Sequence, residues 1–79
     1  MALIVESKFN RVDKHKKNVH EEVESTYSIF TANSGEKYIQ IDTYGKSDRE
    51  IPGKVSQSIQ INKTMAKELL KLIEHEFNL

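Results

Sequence analysis

Apolar and polar residues alternate with a period of two through the middle of the chain. Between residues 37 and 44, Ile39 and Ile41 fall on one side and Tyr38, Gln40, Asp42 and Tyr44 on the other, as in a strand whose successive side chains point to opposite faces. Residues 54–61 repeat the pattern, setting Val55, Ile59 and Ile61 against Ser56, Ser58 and Gln60. The two stretches predict neighbouring strands in a sheet with one aliphatic face and one polar, aromatic face.

The N-terminal third is less regular. Leu3, Val5 and Phe9 alternate with Glu6 and Lys8, which predicts a strand over residues 3–11, although Ile4 interrupts the period. Lys14-His15-Lys16-Lys17-Asn18 contains nothing apolar and reads as a solvated hairpin tip. Val23, Thr26, Tyr27, Ile29, Phe30 and Thr31 are β-branched or aromatic, so residues 19–32 read as a returning strand, with a helix as the alternative over residues 18–24. Asn33-Ser34-Gly35-Glu36 then supplies a turn, because Asn and Gly tolerate positive φ.

After the last strand the period changes. Asn62 is placed to cap a helix over residues 63–77, in which Met65, Ala66, Leu69, Leu70, Leu72, Ile73 and Phe77 recur at helical spacing. The predicted fold is therefore α+β: a four-stranded antiparallel β-meander (strands 3–11, 19–32, 37–44 and 54–61) followed by one C-terminal helix, in a single domain spanning residues 1–79. The apolar stripe is wider than a small sheet needs, which predicts a homodimer with Met65, Leu69, Leu72, Ile73 and Phe77 at the interface.

Composition narrows the function classes. The 79 residues include no cysteine, so neither disulfides nor thiolate ligands support the fold. Twelve basic and twelve acidic residues cancel, and any electrostatic recognition must be local. His15, His20 and His75 stand at spacings that do not converge, so neither a metal nor another cofactor is expected. No nucleophile elbow, phosphate-binding loop or dinucleotide-binding glycine run occurs, and the expectation is a protein that is not an enzyme. The apolar start, residues 1–5, is too short for a signal peptide, and no run of eighteen apolar residues follows, which predicts a cytoplasmic protein without a membrane partner.

Two local features carry candidate chemistry. Lys8, Arg11, Lys14, Lys16 and Lys17 form a basic segment opposed only by Asp13, suited to phosphate or simply to guarding a strand margin. More specific is the face presenting Tyr38, Gln40, Tyr44, Ser56, Ser58 and Gln60, flanked by Lys46, Arg49 and Lys54. Aromatic rings that stack on bases, amides that read base edges and cations that follow phosphates are what a single strand of DNA or RNA requires. Tyrosine also anchors protein interfaces, so a small protein-interaction module, such as a phage or mobile-element regulator, is the alternative.

Four features in order join these readings: the Gly35-Glu36-Lys37 turn into residues 38–44, the loop ending Ile51-Pro52-Gly53-Lys54, the strand ending Ile59-Gln60-Ile61-Asn62, and a helix opening two residues later. In this order and spacing, residues 35–73 resemble the single-stranded-DNA-binding domain of the transcriptional coactivator positive cofactor four and its small prokaryotic relatives. The resemblance implies a ββββα fold, dimerisation through the C-terminal helix, and nucleic-acid contacts at Lys37, Tyr44, Lys46, Arg49 and Lys54.

Overall fold

The computed structural model describes residues 1–15, 17–45 and 53–79. It is an α+β arrangement of strands β1 (Ala2–Ile4), β2 (Ser25–Thr31), β3 (Lys37–Tyr44) and β4 (Val55–Ile61), followed by helix α1 (Lys63–Phe77). The strand order across the sheet is β1-β4-β3-β2.

The centre of the sheet follows the alternation. β2 and β3 pair antiparallel from Ser25 opposite Thr43 to Thr31 opposite Lys37. Between them the Gly35 N–H donates to Ala32 O and the Ala32 N–H to Glu36 O, both at 2.9 Å. Gly35 closes this turn at φ 88°, a conformation in which a Cβ would be strained. β4 pairs antiparallel on the other side of β3, with Ile39 opposite Ile61 and Ile41 opposite Ile59. The register shifts between Thr43, opposite Gln57, and Tyr44, opposite Val55, leaving Ser56 as the extra residue of a bulge.

The N-terminal third departs from the predicted meander. β1 pairs parallel with β4, Ala2 to Ile59 and Ile4 to Ile61, so the sheet is mixed and β1 and β2 lie at opposite edges. The predicted strand over residues 3–11 therefore ends at Ile4, after which a 3-10 turn at Glu6–Lys8 follows, held by Lys8 N–H to Val5 O at 3.1 Å. The described residues between 9 and 24 form neither the returning strand nor the alternative helix, and no hairpin joins β1 to β2, which lie at opposite edges; of the tip expected at residues 14–18, Lys16 lies outside the described residues. The physical reason is composition: between Asn10 and Glu22 only Val12 and Val19 are apolar, too few to hold a strand against the sheet, whereas Ala2, Leu3 and Ile4 carry no charge and add to the edge of β4.

α1 begins as its sequence predicts. The Asn62 side chain accepts from Met65 N–H at 2.9 Å, and the helix ends with Asn78 in the left-handed region at φ 56°. Met65 is the buried apolar residue of the core, 1% exposed, and Ala66, Leu69 and Ile73 are half-buried on the same side. The opening of the core to solvent is the main feature of the packing. The chain exposes 7429 Å², whereas a compact monomer of 9.1 kDa exposes about 4,900 Å². Its radius of gyration is 15.0 Å, against about 11.6 Å for a compact chain of 79 residues.

Candidate nucleic-acid interface

The register places even-numbered residues of the three long strands on one face. Thr26, Ser28 and Phe30 of β2 lie beside Asp42, Gln40 and Tyr38 of β3, and Gln40 and Asp42 lie beside Gln60 and Ser58 of β4. Five of the residues chosen from sequence, Tyr38, Gln40, Tyr44, Ser58 and Gln60, thus share this face. The tyrosines are half-buried, so they are less open than the sequence implies.

A hydrogen-bonded chain crosses the centre of the face. Gln60 Nε2 donates to Gln40 Oε1 at 2.8 Å, Gln40 Nε2 donates to Asp42 Oδ1 at 3.1 Å, and Ser58 Oγ donates to the same Asp42 oxygen. Ser58 is only 6% exposed, and this bond satisfies its hydroxyl. At one end the Phe30 and Tyr38 rings stack at 5.5 Å with an interplanar angle of 22°. The Tyr38 hydroxyl donates to Glu36 Oε2 at 3.1 Å. That hydrogen bond, together with partial burial and the Glu36 charge, raises the Tyr38 phenol above its ordinary value of 10.0. At the other end Tyr44 and Thr26 share a hydroxyl hydrogen bond of 3.0 Å. A recess of about 190 Å³, lined by Met1, Ala2, Leu3, Ser58 and Gln60, adjoins the β1 side.

The remaining chosen residues are dispersed. Lys37 has the opposite parity and shares a face with Ile39 and Ile41. Ser56 sits in the bulge and Lys54 just before β4, both exposed. Lys46 and Arg49 lie outside the described residues. Of the helical residues expected at a dimer interface, Met65, Leu69 and Ile73 turn inward. Leu72 and Phe77 are exposed, with Leu70 beside them.

Sequence reasoning missed Asp42, the acceptor at the centre of the network, and Phe30, the stacking partner of Tyr38. Both were legible in principle, since Asp42 stands between Gln40 and Tyr44 in the alternation and Phe30 precedes the turn by the same interval as Tyr38 follows it. Among the described residues no group of three His, Asp or Glu side chains could hold a metal, and no helix is long and apolar enough to cross a membrane. Set against known protein families, characterised proteins and solved structures, the chain matches none.

Proposed function

We propose that the chain is a single-stranded nucleic-acid-binding module, in the manner of the positive-cofactor-four domain it resembles, and that it works as a homodimer without catalytic chemistry. The observation that carries the reading is the composition of the even-numbered face: the Phe30–Tyr38 stack at one end, Tyr44 at the other, and two glutamine amides between them. Tyr44 lies six residues along β3 from Tyr38, roughly 20 Å of sheet, so rings at both ends can take bases of one extended strand. Asp42 and the glutamines supply acceptors and donors for base edges. Phosphate neutralisation falls to Lys54 with Lys46 and Arg49, which flank this face in the sequence.

A second reading, a protein-interaction module, is favoured by one separate observation, the exposure of Tyr27 (75%) and Ile29 (57%) on an uncharged strand. Titration of labelled oligo-dT at two salt concentrations separates the two. Nucleic-acid binding predicts affinity that falls steeply with salt, a loss of about 1 to 3 kcal/mol in Tyr44→Ala, and near-normal affinity in Tyr44→Phe, which keeps the ring. Absence of binding at low salt overturns the first reading in favour of the second.

A further inference from the structure

The two edges of the sheet are finished differently. β1 is three residues long, and shortness is itself a guard against further pairing. β2 has seven residues, Ser25 to Thr31, all exposed, without a charge or a proline. An edge of this length in a monomer is ordinarily blunted by lysine, proline or a bulge, and β2 has none of these devices. Among the described residues no strand pairs with its outer side.

The hydrogen-bond phase shows what that edge offers. Ala32 donates to Glu36 O and Tyr44 to Glu24 O, which makes the even-numbered residues of β2 the ones whose backbone faces β3. Ser25, Tyr27, Ile29 and Thr31 therefore direct their N–H and C=O groups outward. Their side chains lie on the aliphatic face, where Tyr27 stands opposite Ile41 and Ile29 opposite Ile39.

We infer that β2 is the surface through which two copies of this chain associate, pairing antiparallel about a twofold axis at Ser28 to form a continuous eight-stranded sheet. The inference rests on the homodimer reading above and names its surface. The strand is self-complementary about that axis. Tyr27 meets Ile29 of the second copy, an aromatic against a β-branched side chain, while Ser25 meets Thr31 and Thr26 meets Phe30, with no charge opposed to a like charge. Each of the four outward residues gains both backbone bonds, and Ser28, whose backbone already faces β3, falls on the axis as a non-bonded pair. β2 brings seven exposed residues to the seam, Tyr27 and Ile29 the large apolar ones among them. Pairing also joins the two even-numbered faces into one surface.

The decisive measurement is amide hydrogen exchange on the whole chain, alongside sedimentation at about 100 µM. We expect a dimer in which the Tyr27 and Ile29 amides are protected together with those of Thr26, Ser28 and Phe30. In Ile29→Lys, a monomer, the Tyr27 amide should exchange at least about tenfold faster while the even-numbered amides stay protected by β3. If that variant fails to fold, a dimer of mixed labelled and unlabelled wild-type chains decides, because the Thr26 and Phe30 α-protons come into contact only between copies. A monomeric wild type overturns the inference together with the homodimer reading. A dimer with fast exchange at Tyr27 and Ile29 overturns the inference alone and moves the interface to the exposed residues of α1. Oligonucleotide binding is scored separately and is not decided by either outcome.

Discussion

Ile41 and Asp42 are adjacent in β3, face opposite ways, and hold the sheet by unlike means. Ile41 belongs to rows of aliphatic side chains, Ile59 on one side and Tyr27 on the other, whose attraction is non-directional and tolerates rearrangement. Asp42 accepts from Ser58 and Gln40, and Gln40 accepts in turn from Gln60, so these groups are held by specific, directional partners. A slip of β4 by one residue would turn its isoleucines to the wrong face, and a slip by two would leave the aliphatic rows serviceable while parting Ser58 from Asp42. The aliphatic face favours association of the strands, and the polar face selects the register.

Substitutions on the two faces should differ in size and in kind. The largest effect is expected for Ile41→Ala, a loss of about 2 kcal/mol in urea unfolding, at the low end for such truncations because the site is half-buried. Combined with Ile59→Ala, the loss should grow without restoring anything. Asp42→Ala should cost about 1 to 2 kcal/mol by leaving the buried Ser58 hydroxyl without its acceptor. Here the double variant Asp42→Ala, Ser58→Ala should be less destabilised than the sum of the single changes, since it removes both partners. Additive losses at Asp42 and Ser58 would break the distinction between the faces.

The smallest effect concerns the rim of the polar face. With the Tyr38 phenol raised by its bond to Glu36, the folded state favours the protonated form. That contribution is complete below the ordinary value of 10.0 and is lost as pH rises through the raised one. Urea midpoints compared at about pH 8 and about pH 11 should fall more in the wild type than in Tyr38→Phe, which has no phenol to ionise.

What the sequence made legible follows the same division. β3, β4 and α1 lie where periodicity places them, and the Asn62 cap and Gly35 turn match their local chemistry, because each depends on residues close together in the chain. The placement of β1 was not legible. Alternation marks a strand but not its neighbour, and Leu3 to Phe9 could meet β2 or β4 equally well until the register pairs Ala2 with Ile59. Membership of the polar face was readable from parity alone. The pairing of its hydroxyls and amides was not, since it depends on a register set by contacts between strands, and Lys37, taken from the resemblance, stands at the opposite parity.

The parallel ladder of β1 with β4 also bears on how the protein is made. Ala2 pairs with Ile59, so β1 waits for a partner that is made later in the same chain. At about 5 to 20 residues per second, roughly 3 to 11 s separate the synthesis of the two partners. The β2–β3 hairpin joins neighbouring sequence, whereas Ala2, Leu3 and Ile4 remain without their ladder until β4 is present. Completion of this sheet therefore depends on its most distant pairing, and a chain interrupted before Ile59 would leave Ala2, Leu3 and Ile4 without a ladder.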